Sequence, residues 1–116
     1  MTELIEAYDF GRIVVDGTIY TNDLLILGRR IEEKWWRKEG HALHISDIEG
    51  VVEEFAPEVV VVGTGYMGMM KVSSETRLYV QKKGIELLVE KTKQACELFN
   101  TLSKSKRVLA GLHLTC

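Results

Sequence analysis

Cysteine is scarce: Cys96 and Cys116 are the only two in 116 residues, too few for a disulfide framework, which points to a reducing cytoplasm as the compartment. No segment joins a charged start, an apolar run and a small-residue cleavage site, so a secretion signal is not expected. Long apolar runs are missing as well. None is longer than Val59-Val60-Val61-Val62, which falls far short of the roughly 20 residues that cross a bilayer, and no membrane partner is expected. Neither sign of charge dominates, since 15 basic and 17 acidic residues give −2 and the signs alternate along the chain. A nucleic acid is therefore not the expected partner, and the small basic clusters Lys104-Ser105-Lys106-Arg107 and Arg29-Arg30 read as solvated surface. Asn and Gln number four while 28% of residues are charged, a balance that leans towards a thermophilic source. With one proline, no repeat and no low-complexity tract, residues 1–116 read as one domain that needs neither metal nor disulfide to fold.

What is present reads as a single compact α/β domain of three layers, a mixed central sheet with flanking helices and an N-terminal β-hairpin. Residues 4–10 and 12–15 are expected to be extended, and Asp16-Gly17 supplies the positive φ angles of a tight turn before 18–20. Residues 24–27 form another short strand. From 28 to 43 the chain reads as polar and irregular, although it carries both tryptophans. Ser46-Asp47-Ile48-Glu49 has the form of a capping box. The helix it opens places Ile48, Val51, Val52 and Phe55 on one stripe, leaves Asp47 to water, and stops at Pro57. The run 58–62 lacks polar alternation, as a strand covered on both faces does. A short helix capped by Ser73 or Ser74 closes at Gly84, a strand follows at 85–89, and a helix capped by Thr92 runs to 102. Residues 107–114 form a last strand, so the second half alternates helix and strand as parallel pairing with crossovers requires.

Three constellations invite a functional reading. Gly63-Thr64-Gly65-Tyr66-Met67-Gly68 spells G-x-G-x-x-G after a buried strand, and Glu90 ends the next strand, which is the outline of a dinucleotide fingerprint. That chemistry needs a helix opening inside the glycine run, where its amides meet the pyrophosphate. Here Met69-Met70-Lys71-Val72 intervenes, so the loop reads instead as a sharp turn or as a cradle for a small anion formed by Gly63, Thr64, Gly65, Gly68 and Lys71. Met67, Met69 and Met70 read as core. The second constellation is Trp35-Trp36-Arg37 with Gly40, His41 and His44, from which Trp36, Arg37 and His41 are expected to meet a partner while one tryptophan pins the loop to the core. No carboxylate or cysteine completes a metal set with the two histidines by spacing. The third is His113-Leu114-Thr115-Cys116, whose imidazole and thiol point to opposite faces of an extended strand unless the chain bends back. Cys96 reads as a small core residue. No nucleophile elbow or P-loop occurs, so no catalytic residue and no cofactor is assigned. An enzyme using Lys71, His41 or His113 would require those groups to converge.

Taken together, Trp36-Arg37 with Gly40 and a histidine, Val62-Gly63-Thr64-Gly65, Lys71-Val72, Ser74, Lys82-Lys83-Gly84-Ile85 and Gly111-Leu112-His113-Leu114-Thr115-Cys116 resemble a known family of small α/β domains. That family includes the adipogenesis-associated domain protein and a mitochondrial complex I assembly factor. The resemblance covers nearly the whole chain and its ending is closer to the former. It implies a three-layer fold with a mixed sheet and no established enzymatic activity. The sequence has no transit-peptide-like start, so the mitochondrial role is not carried over. What the resemblance contributes to function is a protein-binding or assembly role, with a protein partner or a second copy of the chain as occupant, and it marks the 63–68 loop and Trp36-Arg37 as the sites.

Overall fold

The computed structural model describes residues 3–116. Strands β1 (Ile5–Asp9), β2 (Arg12–Val15) and β3 (Thr18–Tyr20), the three segments expected to be extended, form an antiparallel meander. Asp16 and Gly17 turn β2 into β3 at φ 49° and 81°, the left-handed pair that matches strand twist. β4 (Leu24–Leu27) then enters a second sheet with β5 (Arg30–Glu33). β5 corrects the irregular reading of 28–43. Its Arg30, Glu32 and Glu33 are exposed and only Ile31 is partly buried, so as a charged edge strand it shows no apolar alternation and also resists pairing with other chains.

β6 (Ala42–Leu43) leads into α1 (Ile45–Phe55). The cap is not the one expected. His44 is the N-cap, and its amide donates to Asp47 Oδ2 at 2.8 Å; Asp47 is half-buried, and its other oxygen takes the Lys38 amide at 2.9 Å. Ser46 lies inside the first turn. Ala56 at φ 49° ends the helix before Pro57. β7 (Val59–Gly63) is buried throughout. β8 (Lys71–Val72) pairs with β6, and Ser73 caps α2 (Ser74–Lys82) by accepting the Thr76 amide. β9 (Glu86–Glu90), α3 (Thr92–Leu102) and β10 (Val108–Leu112) complete the chain's regular elements.

The central sheet has the order β5-β4-β10-β7-β9. β10 and β9 run parallel to β7, while β4 is antiparallel to β10, so the sheet is mixed. Strand alternation sends two sets of side chains to opposite faces. Leu24, Ile26, Val59, Val61, Val108, Ala110 and Leu112 meet Ile5, Ile13 and Val15 of the meander and Ala95, Cys96 and Phe99 of α3. Leu25, Leu27, Val60, Val62 and Leu109 meet Ile48 and Val52 of α1, Val80 of α2 and Trp35. These are the three layers. On the second face Gly111 leaves a slot in β10, and the Trp35 ring fills it so closely that a Cβ there would sit 2.8 Å from Cη2. On the first face Cys96 is a core residue as expected, and burial, aided by Glu97, pushes its thiol up to about 12. Asn100 of α3 both donates to the Ile5 carbonyl and accepts the Ile5 amide, at 2.8 and 3.0 Å, fixing the meander to the helix.

Candidate functional site

Because β7, β9 and β10 are parallel, their carboxyl ends share one edge, the side on which open α/β sheets place their sites. The antiparallel register sets Leu24 opposite Leu112, so Asp23, just before β4, faces His113, just after β10. Asp23 Oδ2 lies 2.7 Å from His113 Nδ1 and Oδ1 accepts the Leu114 amide at 2.8 Å. Arg37 Nη1 approaches the same carboxylate at 2.8 Å with its side chain only 3% exposed. Arg37 was expected at a contact surface; it is instead an internal cation, its guanidinium 4.8 Å from the Trp35 ring centre and its Nη2 donating to the Gly40 carbonyl at 2.8 Å. Burial alone would raise the Asp23 carboxyl. Hydrogen bonds from His113, the Leu114 amide and Arg37 outweigh it and hold the group below the usual carboxylate value.

Arg37 Nη2 also lies 3.1 Å from His113 Nδ1, so that nitrogen has two polar neighbours, and the other ring nitrogen is Nε2. That atom is buried with no partner. The His41 ring packs edge to face on His113, 5.8 Å between centres, and His41 Nε2 lies 3.7 Å from Cys116 Sγ. The thiol therefore meets the imidazole of His41, not that of His113. His44 turns away to Glu39, 2.6 Å from its carboxylate. Lys71 joins this region through its backbone, its amide donating to the His41 carbonyl at 2.8 Å, while its side chain is exposed. Of the three groups an enzyme reading requires together, the two imidazoles converge.

The glycine loop folds against the same edge. Gly63 would clash with Thr92 Oγ1 if it carried a Cβ, and Gly65, at φ 111°, would place one 2.5 Å from the Cys116 carbonyl oxygen. Thr92 does not cap α3, whose N-cap is Lys91; its buried hydroxyl accepts the Gly65 amide at 2.8 Å and donates to the His113 carbonyl at 2.6 Å. The Thr64 amide donates to Glu90, Tyr66 to Thr115, Gly68 to Gly65, Met69 to Cys116 and Met70 to Thr64. The donors that an anion cradle would offer are thus directed to oxygens of the chain itself. The loop is a filled turn.

Its outer surface is apolar. Met70 is buried as expected, but Met67 and Met69 are exposed, at 64% and 51%, because the loop's amides hold it by its backbone and turn these side chains outward. The Tyr66 ring sits 5.8 Å from exposed Phe10 and 6.4 Å from Tyr8. The turn carrying Phe10 is tied in by the Gly11 amide, which donates to the Leu114 carbonyl, as does the Tyr8 hydroxyl, both at 2.8 Å. Burial, then the Cys96 charge, push the Tyr8 hydroxyl up to about 12. Sequence reasoning overlooked Asp23 and Phe10, and it marked the loop that carries Tyr66 without singling out the ring. Trp35 pins its loop as expected, donating from Nε1 to the Asp47 carbonyl, and Trp36 is 77% exposed.

The model of the family of proteins of unknown function DUF498/DUF598 matches residues 5–113. The chain belongs to that family. A conserved hypothetical protein, PH1505 from Pyrococcus horikoshii OT3, is similar at 30% identity and a TM-score of 0.84, over 97% of this chain and 98% of that one. An outer membrane protein from Bartonella henselae is similar in fold at 24% identity and a TM-score of 0.80, over 99% and 97%. A Bordetella pertussis protein described as a Mth938-like domain follows at 17% and 0.67, over 95% and 84%. This chain and these neighbours share the three-layer fold. Among the described residues no helix is long and apolar enough to cross a membrane.

Proposed function

We propose that this member of the DUF498/DUF598 family is a non-enzymatic protein-interaction domain that docks another protein chain on the rim made by Tyr66, Met67, Met69 and Phe10. The carrying observation is that Tyr66, Met67 and Met69, on a loop whose backbone is hydrogen-bonded into the sheet edge, and Phe10, on the tied-in β1–β2 turn, are all exposed. Single exposed apolar residues are ordinary, whereas a group of them on a rigid support is a contact surface. Methionine adapts to the shape of what covers it, and the Tyr66–Phe10 pair offers an anchor. Trp36, 77% exposed, supplies a second contact point. The likeness to the adipogenesis-associated domain protein and the complex I assembly factor supports an assembly role, and the two unbridged cysteines support a cytoplasmic setting.

A photo-crosslinking amino acid at position 67, compared in native extract with the same group at Leu78, an isolated exposed residue on α2, tests the reading. Discrete adducts specific to position 67 are expected, and a mass of twice the chain would identify a second copy as the occupant. Tyr66→Ser should remove them. Identical adduct patterns at 67 and 78, insensitive to Tyr66→Ser, would overturn the reading.

A further inference from the structure

The rim and the Asp23-His113-Arg37 network account for most of this edge, but neither uses the Cys116 thiol. Cys116 is half-buried and therefore reachable, in contrast to Cys96 within the core. Its Sγ faces His41 Nε2 at 3.7 Å, the arrangement of a nucleophile beside a base before a substrate tightens the contact. A second observation points the same way. His113, with its side chain 6% exposed, has an unpartnered Nε2 and packs against the His41 ring that meets the thiol. Asp23 fixes the orientation of His113, and His113 in turn supports His41, so the imidazole beside the thiol is backed by a packed and hydrogen-bonded series.

We propose that Cys116 is a modification site, a thiol that His41 deprotonates and that exchanges with low-molecular-weight disulfides of the glutathione type. His41 Nε2 takes the thiol proton and the thiolate attacks one sulfur of the disulfide. The disulfide's S–S bond breaks as a new one forms to Cys116 Sγ. The departing sulfur keeps the electron pair and receives the proton from His41, leaving one mixed disulfide and one small thiol. The titratable group packed against the pair is His113, which Asp23 and Arg37 contact in turn, and the Lys71 amide donates to the His41 carbonyl.

The test uses the folded chain and an aromatic disulfide that releases a coloured thiol. One equivalent is expected to react quickly in the native protein and a second only after denaturation, and Cys116→Ser should abolish the fast phase. His41 is exposed, so His41→Gln leaves the fold intact, as circular dichroism will check. This variant should slow the fast phase about tenfold at about pH 6 while converging with the parent at high pH, where the thiol ionises unaided. Oxidised glutathione should add one mass adduct, on the peptide holding Cys116. A rate-pH profile unchanged by His41→Gln, or two thiols that react only on unfolding, would overturn the proposal.

Discussion

Removing the Asp23 charge would leave the Arg37 guanidinium buried against His113 with nothing to balance it. Asp23→Asn should therefore lower stability by about 3 kcal/mol, read as a fall in the urea midpoint at neutral pH. The pH dependence has a definite sign. The carboxyl is lower in the folded chain than in the unfolded one, so its contribution is complete above the ordinary carboxylate value of about 4 and disappears as pH falls through the folded value. Acid titration of the parent should show this loss, and Asp23→Asn should flatten it. Asp23 was illegible in the sequence because its partner His113 lies 90 positions away and the two meet only through the β4–β10 register. The Trp35 anchor was legible, but the slot that receives it was not. Gly111→Ala should cost about 2 kcal/mol by overpacking. Trp35→Phe should recover part of that loss, which a double-mutant cycle of unfolding free energies will reveal.

At the scale of elements, the helices and buried strands followed from spacing, since the 3.6-residue stripe of α1 and the unbroken Val59-Val60-Val61-Val62 run have few other solutions. Caps were less legible, because Ser, Thr and Asp satisfy several geometries equally well. Ser73 caps α2, and Ser73→Ala should cost about 1 kcal/mol. Ser46 caps nothing, so Ser46→Ala should stay within about 0.5 kcal/mol of the parent in the same thermal melt. Thr92 was assigned to a helix cap, yet it joins the glycine loop to the end of β10. Thr92→Val removes both buried hydrogen bonds and should cost about 2 kcal/mol, whereas Thr92→Ser keeps the hydroxyl and most of the stability. The 63–68 glycines were legible as a special backbone. Their partners were not, because an amide held by Thr115 or Cys116 looks in sequence like an amide free for a phosphate.

For the molecule as a whole, the two cores share one sheet, so neither can be lost alone. Trp35 reports on one face and the Cys96 thiol on the other, and their unfolding transitions in denaturant should coincide. Tyr66→Ser should leave that transition within about 1 kcal/mol while removing the cross-links from position 67, since the ring is half exposed. The contact surface would then be separable from the scaffold.

The sheet order has a consequence for how the protein is made. β10 stands between β4 and β7, yet the ribosome delivers it after every other strand of that sheet. Until it emerges, Leu24-Leu25-Ile26-Leu27 and Val59-Val60-Val61-Val62 have no middle to join them, and each offers an apolar edge to any passing chain. Nascent chains stalled before β10 should therefore be degraded or held by chaperones, and folding should complete in one late step when the centre of the sheet arrives.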